Sequence, residues 1–141
     1  MAVGRLKEAH YRAAVSDYLE RLSHYAKADI VEVDDGPANK LEAALRKAIL
    51  GRSRVVALTI EGKARSSEEL AAWFEDRARA AEDVTFLIGG ADGLPADLVR
   101  KDCQEQLSLS RMTLPHRLAR LVLVEQIYRA MTIRKGEPYH H

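Results

Sequence analysis

A chain of 141 residues is long enough for one domain that buries roughly two-thirds of its unfolded surface without a covalent staple. Its 47% hydrophobic and 30% charged residues are ordinary for a globular protein, and no apolar run approaches the ~20 residues that span a bilayer, which argues against a membrane role. Lys and Arg number 22 against 21 Asp and Glu, so the net charge of +1 lacks the basic excess of many RNA binders and leaves room only for a local patch. The single Cys103 excludes an internal disulfide, and Met1 to Lys7 lacks the apolar stretch and cleavage site of a signal peptide; both point to the cytosol.

Along the chain, apolar runs of strand length alternate with segments whose apolar residues recur every three or four positions, the signature of βαβ units. Tyr11, Val15, Tyr18, Leu19, Leu22 and Tyr25 predict one face of a helix of about five turns, followed by a strand over Asp29 to Val33. Asn39 with Glu42 reads as a capping box for a helix whose stripe is Leu41, Leu45, Ala48 and Ile49, with Gly51 suited to a left-handed exit. Val55 to Ile60 shows no polar alternation, which predicts a central strand covered on both faces. Ser66 with Glu69 forms a second capping box ahead of Leu70, Trp73, Phe74 and Ala78, and Val84 to Ile88 is the next buried strand. After a glycine-rich turn come a short helix from near Pro95, a strand around Gln106 to Leu109, and a last helix from about Pro115 to Thr132.

That last helix carries Leu118, Leu121, Val122, Val124, Ile127, Tyr128 and Met131 around most of its circumference, more than one sheet face can bury. A dimer interface is the favoured reading, against a central helix of the monomer; Glu125 and Arg129, one turn apart, are expected to pair. Three loops follow predicted strands, Glu61-Gly62-Lys63, Gly89 to Gly93 and Ser110 to Leu114, and strand ends of this kind are where ligands bind in parallel sheets. Their glycine spacing matches neither a dinucleotide fingerprint nor a P-loop. No metal-ligand set is apparent, and Ser110, His116 and Asp92 lack the GxSxG elbow of a hydrolase.

The succession Phe86-Leu87-Ile88-Gly89-Gly90-Ala91-Asp92-Gly93, then Leu107-Ser108-Leu109-Ser110-Arg111-Met112-Thr113-Leu114-Pro115-His116, then Glu125-Gln126-Ile127-Tyr128-Arg129-Ala130 resembles the RlmH family of SPOUT-class methyltransferases. Val3-Gly4-Arg5-Leu6-Lys7 near the start and Pro138-Tyr139-His140 near the end extend the likeness over the whole chain, residues 1–141 forming a single domain. Only Met1 and Ala2 precede Val3, so the first strand is expected to be short. The resemblance implies an α/β fold, a mainly parallel sheet flanked by helices with a C-terminal trefoil knot, which general rules of chain topology would not suggest. It further implies an S-adenosylmethionine site at Leu58, Gly90, Leu109, Ser110, Arg111, Met112, Thr113 and Leu114, with no metal. His116, Arg129, Tyr139 and His140 are the candidates for the acceptor side. The implied substrate is N3 of a pseudouridine in helix 69 of 23S ribosomal RNA within the assembled ribosome, acted on by a cytoplasmic homodimer. The alternative is a ribosome-associated module that holds the cofactor without turnover.

Overall fold

The computed structural model describes residues 1–49, 51 and 53–141. Among the described residues, ten elements follow in the order β1 (Ala2–Val3), α1 (Ala9–Leu22), β2 (Glu32–Val33), α2 (Ala38–Ala48), β3 (Ser53–Ala64), α3 (Ser67–Arg79), β4 (Asp83–Leu87), α4 (Ala96–Asp102), β5 (Glu105–Ser108) and α5 (His116–Lys135). All the strand pairings are parallel: β1 with β2, and β3 between β4 and β5. A parallel bridge between Ala2 and Ile88 joins the two ladders, giving the spatial order β2-β1-β4-β3-β5.

The alternation of side chains along a strand sorts the core onto two faces. Val3, Val55 and Leu87 pack with Leu41 and Leu45 of α2 and Leu98 of α4. Their immediate neighbours Ala2, Val56 and Phe86 point the other way, against Leu22 of α1, Leu70, Trp73 and Phe74 of α3, and Leu123, Ala130 and Met131 of α5. The chain is therefore an α/β sandwich with α2 and α4 on one face and α1, α3 and α5 on the other. Covering on both faces is what the unbroken apolar run Val55–Ala57 demands, and all three residues are buried.

Several boundaries differ from expectation. Pro37, with φ fixed at −54°, caps α2 two residues early, so Asn39 lies in the first turn and its side chain makes no cap. The same helix ends at Ala48 with Ile49 extended, two residues before Gly51. α1 stops at Leu22, where Ser23 turns its hydroxyl onto the Glu20 carbonyl, so Tyr25 stands beyond the helix. β2 is two residues rather than five because its one neighbour, β1, offers only Ala2 and Val3 as partners. The Ser66–Glu69 box forms as expected, with both reciprocal bonds present at 3.1 and 2.7 Å.

β3 runs further than its apolar core. After Leu58 pairs with Leu107 the chain makes an excursion through Thr59 to Gly62, then Lys63 returns to Leu107 and Ala64 to Ser108. Glu61-Gly62-Lys63 is thus no free loop. A Cβ on Gly62 would stand 2.7–2.8 Å from the backbone of Gln106 and Leu107, a separation only glycine permits. The excursion is held against β5 at its base by Thr59, whose hydroxyl donates to Gln106 Oε1 at 2.9 Å.

α5 finds two helical partners within its own chain. Val124 and Leu121 pack with Leu6, Val15, Tyr18 and Leu19 on the α1 side, while Leu123, Ala130 and Met131 enter the cluster shared with α3. Gly136, in the left-handed conformation at φ 68°, ends the helix, with its amide on the Ile133 carbonyl and that of Glu137 on the Thr132 carbonyl. This turn sends the C-terminal residues back along the helix they follow.

Candidate active site

At the C-terminal end of β3 and β5 lies an open cleft of about 400 Å³, part of it continuous with solvent, lined by Leu58, Thr59, Ile60, Leu107, Leu109, Ser110, Met112, Leu114 and Ala119. Three pieces build it: the β3 excursion, the loop from Leu109 to Leu114, and the first turn of α5. The loop is shaped by its own serines, since Ser108 Oγ donates to the Ser110 carbonyl at 2.9 Å and Ser110 Oγ accepts from the Met112 amide at 2.9 Å. Met112 is left 77% exposed and Ile60 47%, two of the three large apolar side chains most open to water among the described residues. Both stand at the cleft, so the apolar surface exposed there is concentrated where a ligand would cover it.

Five of the eight residues expected to hold the cofactor line this cleft: Leu58, Leu109, Ser110, Met112 and Leu114. Arg111 and Thr113 lie exposed in the same loop. Gly90 stands apart from the lining residues, on the turn after β4, where a Cβ would meet Asp35 Oδ2 at 3.1 Å and a Val3 methyl at 3.3 Å. That turn is closed by a bridge between Gly90 and Gly93, with the Gly93 amide on the Gly90 carbonyl at 3.1 Å. Of its glycines, Gly93 adopts positive φ (75°), and Gly89 is required by contact, its absent Cβ lying 2.5 Å from the Gly93 carbonyl carbon. Thr59, Ile60, Leu107 and Ala119 were not identified from sequence; the continuation of β3 past its apolar run is what carries the first two there.

The acceptor-side candidates divide into two groups. Arg129, Tyr139 and His140 converge where the C-terminal residues fold back on α5. Arg129 donates to Glu125 Oε1 through Nε at 3.0 Å and Nη2 at 2.6 Å, the pairing expected from their spacing. Tyr139 donates its hydroxyl to the same carboxylate at 3.0 Å, packs edge-on against Tyr128 at 4.7 Å and lies under the Arg129 guanidinium at 4.8 Å. Burial, together with Tyr18 and Glu125 beside it, pushes the Tyr139 phenol well above its ordinary range, so it is a neutral donor at physiological pH. The Glu125 carboxylate holds the Arg129 guanidinium above its usual value, firmly charged.

His140 links this cluster to α3. Its Nδ1 lies 3.2 Å from Arg129 Nη1, which can only donate, and its Nε2 lies 2.8 Å from Glu68 Oε1, which accepts. The two partners assign the ring proton to Nε2 and occupy both nitrogens, which leaves neither free to take a proton from a substrate in this arrangement. His116, by contrast, opens α5, thirteen residues before Arg129. At 1.5 Å per residue that is roughly 20 Å along the helix, so one chain does not bring His116 to the other three.

Sequence reasoning also missed Arg120. Its side chain is 3% exposed and reaches Glu32 Oε2 and the Gly4 carbonyl, both at 2.8 Å, while the Leu6 amide donates to the same Glu32 oxygen at 2.9 Å. One guanidinium thereby ties the exit of β1 and the start of β2 to the first half of α5, one residue from Ala119 of the cleft. The signal available in the sequence was an arginine placed among apolar residues of an amphipathic helix, but its partner lies 88 residues away.

Comparison with known proteins identifies the family. The family described as "Predicted SPOUT methyltransferase" matches residues 1–140. A Sorangium cellulosum protein named ribosomal RNA large subunit methyltransferase H is 50% identical, over 99% of this chain and 96% of its own length. Proteins of the same name from Bacillus cereus and Bacillus anthracis are each 42% identical, over 99% of this chain and 96% of theirs. With the family match spanning nearly every residue and the relatives covered almost end to end, the chain belongs to the SPOUT methyltransferase family.

Proposed function

We propose that this chain is an S-adenosylmethionine-dependent methyltransferase that modifies N3 of a pseudouridine in helix 69 of 23S ribosomal RNA, acting on assembled ribosomes in the cytoplasm. The observation that carries the reading is the convergence of Leu58, Leu109, Ser110, Met112 and Leu114 on one cleft. Its walls are mostly apolar, and its polar groups are Thr59, Ser110 and loop main chain, a combination that fits an adenosyl group held by shape and backbone hydrogen bonds. The relatives' shared name supports ribosomal RNA as substrate.

When bound, S-adenosylmethionine supplies an electrophilic methyl group, and no metal is needed for the transfer. The protein's part is then to hold the acceptor in line and assist loss of its proton. Arg129 is proposed as the fixed positive charge that favours the deprotonated acceptor. Tyr139, kept neutral, donates a hydrogen bond, and His140 orders Arg129 from the other side. Because His116 and this trio lie at opposite parts of α5, we propose a homodimer in which α5 is shared, so that the cleft end of one helix approaches the tail of its partner. The half-buried Leu118 and Val122 are available for such packing. A C-terminal trefoil knot, implied by the resemblance, is compatible with the close passage of Gly62 over β5.

Calorimetry with S-adenosylmethionine, paired with methyl transfer to ribosomes lacking the modification, tests the reading. Binding with transfer supports it, binding without transfer supports the non-catalytic module, and no binding defeats both. Gly90→Val is expected to lower cofactor affinity at least tenfold, because the branched side chain must displace Asp35 or Val3 and shift the Gly89–Gly93 turn that the resemblance assigns to the cofactor. Wild-type affinity in that variant would refute the assignment of Gly90.

A further inference from the structure

The net charge of +1 conceals a strong separation of charge along the chain. The first twelve residues carry Arg5, Lys7 and Arg12 against Glu8 alone, and the nineteen residues from Gln106 to Val124 carry Arg111, Arg117 and Arg120 with no acid. The fold docks these two basic segments on each other. Arg117 pairs with Glu8 at 2.9 Å, and buried Arg120 takes the Gly4 carbonyl at 2.8 Å. Glu8 precedes α1, so Arg12, four residues on, lies on the same side of that helix as the Glu8–Arg117 contact.

Two of these cations are engaged inside the structure: Arg120 by Glu32, and Arg117 by Glu8, the one acid of the group. Arg5, Lys7, Arg12 and Arg111 remain, all exposed. The Gly4–Arg120 and Glu8–Arg117 contacts set residues 4–8 beside the start of α5, next to Ala119 at the edge of the cleft. Asp34 and Asp35 follow β2 alongside Arg5 in the parallel register and close the basic area on that edge, with Asp35 turned to Gly90.

We propose that Arg5, Lys7 and Arg12 form a docking surface for the sugar–phosphate backbone of structured RNA, positioned by the Arg120–Glu32 clamp so that an RNA strand runs across the mouth of the cleft. The proposal rests on the RNA-directed reading above and adds to it the residues that would bind the backbone outside the site of chemistry. The charge is local and exposed, as counterion release requires, and the rigid attachment of Gly4 and Leu6 through Arg120 and Glu32 holds the loop that presents it. Arg5, Lys7 and Arg12 contribute nothing to the cleft lining, so their role is separable from cofactor binding.

The test is the salt dependence of binding to a fluorescein-labelled RNA hairpin, for the wild type and the triple variant Arg5→Ala/Lys7→Ala/Arg12→Ala, with calorimetric titration of S-adenosylmethionine alongside. Removing one cation–phosphate pairing should flatten the plot of log affinity against log salt by about 0.7–0.9, so the triple variant should lose a slope of roughly 2 and bind at least tenfold more weakly at low salt, with cofactor affinity unchanged. Lys47→Ala/Lys101→Ala, which removes two exposed lysines from α2 and α4, should leave the slope as it was. Equal slopes for wild type and triple variant, including the case where neither binds, would overturn the proposal, as would an equal loss in the lysine control. If the wild type binds the hairpin and the triple variant does not, yet ribosomes are not methylated, the docking surface stands and the reading of the reaction falls.

Discussion

Changing Glu32 to Gln isolates the energetic consequence of the one deeply buried guanidinium among the described residues. Arg120 has Glu32 and the Gly4 carbonyl as its partners at 2.8 Å, and its Nε is buried without one. Glutamine keeps the volume and an acceptor oxygen but removes the charge, leaving a cation in the layer between the sheet, α1 and α5. Breaking a buried pair by removing one partner typically costs about 3–5 kcal/mol. Glu32 itself remains 39% exposed, so water already screens part of the attraction and the expected loss lies nearer ~2–3 kcal/mol. For a domain of this size that corresponds to a fall in Tm of roughly 5–10 °C.

The sign of the pH dependence follows from the same pair. Hydrogen bonding from Arg120 and from the Leu6 amide holds the Glu32 carboxyl below the usual glutamate range. A depressed carboxylate pKa contributes stability that is complete above the unfolded value and is lost as pH falls through the folded one. Urea midpoints for wild type and Glu32→Gln should therefore differ at neutral pH, with m unchanged, and approach each other in acid. Identical midpoints at neutral pH, or a gap that persists undiminished in acid, would refute the account.

Gly62→Ala should lower stability by about 1–3 kcal/mol in chemical denaturation and widen the cleft by forcing β3 from β5, whereas Gly36→Ala, with open space at its Cβ, serves as the control. Glu125→Ala removes the acceptor shared by Arg129 and Tyr139, so the C-terminal residues should become rapidly cleavable by carboxypeptidase; unchanged cleavage would mean that other contacts secure them. Tyr139→Phe should slow methyl transfer without altering the shape of its pH–rate profile up to about pH 10, because the buried phenol is already neutral there. A lost alkaline limb in that variant would show that the phenol titrates within the working range.

What the sequence disclosed depended on how local the cause was. The Ser66–Glu69 cap spans three residues and the Glu125–Arg129 pair four, and both are present; the covered strand expected over Val55 to Ile60 is buried at Val55 to Ala57 but opens to an exposed Ile60. The segments Leu109 to Leu114 and Arg129 to His140 could be singled out through resemblance, but their separation along α5 could not. The Arg120–Glu32 clamp, the need for glycine at position 62 and the occupation of both His140 nitrogens arise between residues far apart in the chain, and no periodicity announces them. Gly136 was an overlooked signal: a glycine directly after Arg134-Lys135 marks a helix end, and its left-handed turn is what returns Tyr139 to Glu125.

The placement of β1 between β2 and β4 bears on the order in which the chain can assemble. Ala2 and Val3 leave the ribosome more than eighty residues ahead of Ile88, which fastens them to the rest of the sheet. Until then one edge of that short strand is unsatisfied, and the β1–β2 pair cannot join the remaining ladder. Sequence-distant closure of this kind slows folding and lengthens exposure to wrong partners, so the nascent chain should acquire protease resistance late and abruptly, once β4 and the helices that cover it have been translated.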